Sequence, residues 1–337
     1  MEIRYLSLSD VLEAGLTFSD TLEIVEQSLH EHGEKRVENP PKLSIHPLPD
    51  AFITAMPAYL RGKGACGMKW VSGYPGNLLR GLPTISAMII LNDPQTGLPL
   101  AALDGTWITA VRTVAVSVVA TRHLCNRAAK VLAIVGCGLQ GKYHAIALKD
   151  AIPSLSVVKI HDNHEPSIDS FKSEIGNLIP TLRVEVCSSA EETIKGADLV
   201  ITATGKLLEP IFRHEWVKEG AFVLPIHTQG WEPVILSEMD KLVVDDWVQF
   251  CEYAGEFYQP LPEKPYAETG EIITGSKPGR ENSRERIVNF NTGLAVHDIL
   301  MASVILHKAE QKGLGTRLSL QKPDERLPIL DIAPFEQ

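Results

Sequence analysis

Two sets of residues in this 337-residue chain have the types and spacing to do chemistry together. The first is Gly136-Cys-Gly138-Leu139-Gln140-Gly141, which follows the apolar run Val131 to Val135 and precedes a helix-compatible stretch, Lys142 to Lys149. A GxGxxG turn between strand and helix is the context a dinucleotide requires. Gly136 permits the tight turn, Gly138 lets backbone approach a pyrophosphate, and Gly141 lets the helix pack closely with its amides facing the phosphates. The next apolar run, Val157 to His161, ends at Asp162, where a carboxylate would accept hydrogen bonds from the adenosine ribose. No arginine follows Asp162, so NAD is expected rather than NADP; the plainer reading of Asp162 is a turn residue. A third run ends in Thr202-Ala203-Thr204-Gly205, small polar residues at the carboxyl edge of a sheet, where cofactors sit. FAD suits the same glycines but leaves the basic residues described next unexplained.

Those basic residues are the second set. Lys69 lies mid-strand in Gly64-Ala-Cys-Gly-Met-Lys69-Trp-Val, and alternation puts it on the face of Ala65, Gly67 and Val71. An ammonium there is costly unless it meets an anion; on an edge strand it would instead snorkel to water. Arg112 interrupts the helical stripe Ile108, Ala115, Val119. A guanidinium in that position either pairs with an internal carboxylate or grips the carboxylate of a substrate with two parallel hydrogen bonds. Periodicity does not choose between these. Asp104-Gly105 reads as a helix cap. The eleven histidines and five cysteines show no metal-ligand spacing, and no metal is expected. His30 and His32 are expected on a solvated helix end.

The elements that must position these residues fall into two textures. An N-terminal helix carries Asp20 and Glu23 in capping-box spacing ahead of Leu22, Val25 and Leu29. Short strands are then expected around 52–55, 65–72, 85–91 and 98–103, followed by a long helix from Thr106 to Leu124. From Val131 onward, β-rich runs (157–160, 184–186, 199–202, 222–226, 241–244) alternate with helical segments, which means parallel βαβ units. Residues 260–286, rich in Pro, Gly and charge, read as a loop or lid, and 292–312 as a closing helix. The predicted fold is α/β, a Rossmann-type doubly wound parallel sheet. A net charge of −10 argues against nucleic acid as a partner. No apolar run reaches membrane-spanning length, and scattered cysteines without a framework fit reduced thiols in a cytoplasm.

Several collinear motifs resemble the ornithine cyclodeaminase/mu-crystallin family over nearly the whole chain. They are Gly67-Met-Lys69-Trp-Val, Pro75-Gly-Asn77, Gly81-Leu-Pro83-Thr84, Thr96-Gly97-Leu-Pro99, Asp104-Gly105 through Arg112-Thr113, Gly136 to Gly141, and Gly293-Leu-Ala-Val-His-Asp298. The resemblance implies an NAD-binding domain (124–299) inserted into a substrate-binding and dimerisation domain (1–123 with 300–337), in a homodimer. It implies an oxidoreductase acting at the carbon that bears the nitrogen of a small amino or imino acid. Lys42, Lys69 and Arg112 would then hold the substrate carboxylate, with Thr84 and Thr113 added to the cofactor contacts. Two departures concern the reaction. Cyclising members carry a glutamate two residues before a Met-Pro pair, where this chain has Thr54. They also carry an aspartate after a glycine near the nicotinamide, where it reads His227-Thr-Gln-Gly230-Trp231-Glu232. Glu232 or Lys69 is the expected proton carrier, and Trp231 is expected to narrow the pocket. A cyclodeaminase-like lyase using NAD catalytically is the second reading, and a non-catalytic ligand binder of crystallin type the third.

Overall fold

The computed structural model of the protein describes residues 1–205 and 207–321. Two eight-stranded sheets divide it, and their burial patterns differ because one is antiparallel and the other parallel. The first sheet runs Thr316–Ser319, Glu2–Leu6, Pro99–Asp104, Ile85–Asn92, Ala65–Gly73, Phe52–Leu60, Val37–Glu38, with Leu43–Ile45 also paired to Phe52–Leu60. Only the Glu2–Leu6 and Pro99–Asp104 pair is parallel. Along Ala65–Gly73 burial alternates, as expected of a strand with one face on a core. Its buried residues are Ala65, Gly67, Lys69, Val71 and Gly73, so Lys69 points inward. The helix Ala295–Lys312 covers that inner face, packing on the three central strands.

The second sheet is wholly parallel, in the order Arg183–Val186, Val157–His161, Val131–Val135, Leu199–Thr202, Phe222–Pro225, Ile287–Phe290, Lys241–Val244, Ala267–Glu268. Its central strands Leu199–Thr202, Phe222–Pro225 and Ile287–Phe290 are buried at every position, as helices on both faces require. From Val131–Val135 the chain adds strands toward one edge, and from Leu199–Thr202 toward the other, so the carboxyl ends of those two neighbouring parallel strands form the topological switch point. The doubly wound fold read from the alternation of elements is present.

The helix Thr106–Leu124 joins the halves. Ile108 and Val111 belong to the first core, while Val114, Val118 and Leu124 belong to the second. Twelve of its nineteen residues are buried, so one helix fixes the first sheet relative to the parallel sheet. The return connection is the helix Ala295–Lys312, continuous through position 300 and anchored in the first core from Leu294 onward. The tail 322–337 of the expected substrate domain lies outside the described residues.

Some expectations change. A strand, Glu2–Leu6, and a short helix, Leu8–Glu13, precede the first long helix, Phe18–Gly33. That helix is capped by Thr17 with Asp20 at the third position, a capping box three residues earlier than the Asp20/Glu23 spacing suggests. His30 is exposed, as expected of a solvated helix end, but His32 on the other face is buried, its Nε2 3.1 Å from Asp246 Oδ2, because that face docks on the parallel half. The 260–286 stretch is loop at both ends, but a short strand, Ala267–Glu268, extends the second sheet and a short helix, Thr269–Ile273, follows it, with Ala267, Thr269, Gly270 and Ile272 buried. Among the described residues no helix is long and apolar enough to cross a membrane.

Candidate active site

The glycine turn is built by close approach. Gly136 has φ +107°, and a Cβ there would lie 2.4 Å from the carbonyl oxygen of Ala203, so only glycine fits. A Cβ on Gly141 would meet the Gly136 carbonyl oxygen at 2.1 Å, which explains how the helix Leu139–Ala151 reaches the strand. Gly138 differs: nothing lies within 4 Å of its added Cβ, and as N-cap of the helix it makes no side-chain cap. The space beside Gly138 at the start of that helix is therefore open and no side chain caps its first amides, an arrangement that binds anions. The carboxylate of Asp162 accepts from the Cys137 amide at 2.7 Å and from the His164 amide at 2.8 Å, so it braces the turn from the neighbouring strand end. Around the turn, Gln140 Nε2 donates to the Ala110 carbonyl, while Gln140 Oε1 and Thr204 Oγ1 are buried with no partner among the described residues. Thr202 accepts from the Trp231 indole at 3.2 Å, and the Ala203 amide donates to Val135. Thr113 donates to the Thr109 carbonyl on the joining helix, and Gly205 is open around its Cα. The glycine cradle, the uncapped helix start and the orphaned oxygens fit a dinucleotide. Thr84 is exposed, in the bend just before the strand Ile85–Asn92 of the first sheet, and its carbonyl accepts from the Tyr74 amide.

The cations meet where the chain leaves the second sheet for the first. After Ile287–Phe290, Thr292 and Gly293 are clamped by Asp245: the carboxylate accepts from the Thr292 hydroxyl at 2.8 Å and the Gly293 amide at 2.6 Å. Gln249 donates to the Thr292 hydroxyl at 2.6 Å from the other side. Gly293 has φ +88°, and its Cβ would sit 2.7 Å from Arg112 Nη1; the glycine lets backbone and guanidinium approach. Lys42 Nζ donates to the Thr292 carbonyl and lies 4.6 Å from the centre of the Tyr253 ring.

Asp298, in the first turn of the closing helix, ties the cluster together. Its Oδ2 accepts from Lys69 Nζ at 2.7 Å and its Oδ1 from Arg112 Nε at 3.2 Å, and both Lys69 and Asp298 are fully enclosed. Burial works against the Asp298 charge, but Arg112 and Lys69 outweigh it and hold the carboxyl below its ordinary range. Burial and the neighbouring Arg112 charge pull Lys69 down to about 7, against the attraction of Asp298. Lys42 falls to about 8, chiefly by burial. Burial raises Asp245.

Both alternatives read for Arg112 are thus partly realised. Asp298 holds the guanidinium from behind through Nε. The terminal Nη1 and Nη2 have no hydrogen-bond partner among the described residues, which is the edge that takes a carboxylate bidentately. Three cations, Lys42, Lys69 and Arg112, stand with two carboxylates, Asp245 and Asp298, so one positive charge is unmatched.

The structure does not bring Glu232 to this cluster. Its Oε1 is taken by the His214 ring nitrogen and, at 2.8 Å, by the His214 amide, in a separate cavity lined by Glu191, Arg213 and Trp216. Trp231 is wholly buried, 5.3 Å from the Phe212 ring, and packs in the core beside the second sheet instead of narrowing an open pocket. Thr54 is buried and its hydroxyl is 2.7 Å from that of Ser44. Sequence reasoning quoted Asp298 only within a motif and missed its pairing. An aspartate one turn into an apolar helix was the available signal, because it needs a cation.

The model of the ornithine cyclodeaminase/mu-crystallin family matches residues 4–313, and the chain belongs to that family. It is 38% identical over 321 residues to the nodulation efficiency protein NfeD of Rhizobium meliloti, covering 94% of this chain and 98% of that protein. The structure of Thermococcus litoralis Delta(1)-pyrroline-2-carboxylate reductase in complex with NADH and L-proline is 30% identical, with a TM-score of 0.83 over 93% of this chain and 99% of that one. An archaeal alanine dehydrogenase dimer with bound NAD is also 30% identical, with a TM-score of 0.85 over 95% and 100%.

Proposed function

We propose that the protein is an NAD(H)-dependent oxidoreductase acting on the CH–NH or C=N centre of a small amino or imino acid. The observation that carries this is the unpartnered Nη1/Nη2 edge of Arg112, which with Lys42 is packed against Thr292 and Gly293, the segment that leads off the carboxyl end of Ile287–Phe290 in a dinucleotide-type sheet. The relatives named above that carry NADH with proline, or NAD, support the cofactor and the substrate class. When bound, the nicotinamide gives a hydride to, or takes one from, the substrate carbon. Arg112 and Lys42 hold the substrate carboxylate and so fix its α-carbon. Lys69, whose proton is loosely held near neutral pH, is the proton carrier of the two named from sequence; Glu232 is committed to His214. Asp298 keeps both inner cations in place.

The division into a cofactor domain and a substrate domain follows the two sheets, with the helices Thr106–Leu124 and Ala295–Lys312 connecting them. The outer face of the first sheet carries the cross-strand row Leu43, Ala55, Trp70, Met88, with Leu43, Trp70 and Met88 exposed at 74%, 44% and 45%. An apolar face of this kind marks an interface, and we assign it to a second copy of the chain, as the dimeric alanine dehydrogenase relative suggests. Light scattering at twice the chain mass checks this. Five unbridged cysteines accord with a cytoplasmic location.

The function is tested by following NADH absorbance with cyclic imines and with 2-oxo acids plus ammonia or amines, alongside ammonia release from ornithine and lysine with catalytic NAD. Oxidation of NADH is the expected outcome. Ammonia release without an absorbance change would instead establish a lyase, and ligand binding with no turnover a binder.

A further inference from the structure

We propose that Thr228 is a cofactor-positioning residue whose hydroxyl engages the carboxamide of the nicotinamide; this rests on the NAD reading above. The argument begins at the carboxyl edge of the parallel sheet. There the strand ends follow in the order Val135 with the glycine turn, Thr202, Pro225, and Phe290 with Thr292 and Gly293. The loop 226–230 therefore lies on the strand between the pyrophosphate turn and the carboxylate-binding cations, about two strand spacings, ~10 Å, from the turn. A dinucleotide anchored on the glycines and reacting beside Arg112 must pass its nicotinamide end over this loop.

The loop is held rigidly. The amides of Ile226 and His227 donate to the Thr202 carbonyl, and the Tyr258 hydroxyl donates to the Thr228 carbonyl at 2.5 Å. Gly230 has φ +110° and is packed against Leu207 and Phe212. Within this frame Thr228 is 3% exposed, yet its Oγ1 has no hydrogen-bond partner among the described residues. In folded proteins a buried hydroxyl ordinarily has a hydrogen-bond partner, and leaving one unpaired costs stability. Two further orphaned oxygens, on Thr204 and Gln140, lie around the same edge beside the glycine turn. An orphan kept in a pinned loop is accounted for by a ligand that supplies its partner. A carboxamide offers both a carbonyl and an amino group, and a hydroxyl can donate to the one or accept from the other.

The experiment is a binding comparison needing no turnover. NADH and ADP-ribose, which lacks the nicotinamide, are titrated into the full-length wild-type protein and the Thr228→Val and Thr228→Ser variants, and the melting temperature of each ligand-free protein is recorded. Thr228→Val is expected to weaken NADH about three- to ten-fold, the worth of one hydrogen bond, while leaving ADP-ribose binding unchanged. Its ligand-free melting temperature should equal or exceed that of wild type, because a methyl replaces an unsatisfied hydroxyl. Thr228→Ser should retain wild-type NADH affinity. Equal weakening of both ligands, or no weakening of either, overturns the assignment while leaving the NAD reading intact. Failure of the wild-type protein to bind NADH overturns both.

Discussion

The glycine turn and the cation cluster each hold an anion, but they are made from opposite materials. The turn uses backbone: six consecutive residues, Gly136 to Gly141, with open space at Gly138 and tight contact at Gly136 and Gly141. The cluster uses side chains from Lys42, Lys69, Arg112 and Asp298, brought together from a loop, a strand and two helices. A backbone site carries no net charge and costs little to bury; its limits are steric. A side-chain site concentrates charge in a dry interior and must neutralise most of it internally to be stable at all. Asp298 does that for Lys69 and Arg112, and the one charge left over is what a monoanionic substrate can match.

If this contrast holds, the two sites should fail differently. The largest effect is expected for Asp298→Asn, which leaves Lys69 buried beside Arg112 without its counter-charge. A stability loss of about 3–5 kcal/mol is expected in urea unfolding, with the NADH affinity of the remaining folded protein little changed. Arg112→Ala should cut kcat/KM by about a hundred-fold or more, since two charge-assisted hydrogen bonds at about 1.5–3 kcal/mol each disappear, with a smaller loss of stability than in Asp298→Asn. In the glycine turn, steady-state and binding measurements should separate neighbours. Gly136→Ala, strained by φ +107° and by contact with Ala203, should lose both stability and NADH affinity. Gly138→Ala, which has room for a methyl group and an extended backbone, should fold within about 0.5 kcal/mol of wild type and lose cofactor affinity alone.

The smallest effect is a pH dependence confined to the cluster. Lys69 and Lys42 have folded values of about 7 and about 8, below their ordinary value of 10.5. Both are cationic at lower pH, so affinity for a substrate carboxylate should be greatest below about 7 and fall as pH rises through 7 to 8. For folding the sign is reversed. Between about 7 and 10.5 the unfolded chain binds a proton at position 69 that the folded one has lost, so Lys69 makes stability increase with pH across that window. Titration of carboxylate binding by calorimetry between pH 6 and 9 checks the first; a flat profile would mean that Arg112 carries the anion without the lysines.

The same contrast explains what could be read from sequence. The strands Val131–Val135, Leu199–Thr202 and Lys241–Val244 and the helix Thr106–Leu124 stand where their periodicity puts them, since each is fixed by local pattern and local turn chemistry. The strand Ile287–Phe290 falls between the 260–286 stretch and the closing helix, where the sequence reading assigns no element, and the His32 to Asp246 contact was invisible, because partners over 200 residues apart leave no local trace. Glu232 shows the limit for the site: its type and position suit an acid/base, and only the contact with His214 shows that its carboxylate is occupied.

The sequence by itself determined the glycine turn, the alternation that makes a parallel sheet, and the presence of two cations on otherwise apolar faces. These are properties of neighbouring residues, and backbone sterics and side-chain periodicity act at that range. Tertiary structure decided what those cations do: whether Arg112 is spent on an internal acid or kept for a ligand depended on Asp298 approaching from a helix 186 residues away and engaging only Nε. Burial of charge is settled by the whole set of neighbours in a low-dielectric interior, and that set exists only once the two sheets are joined.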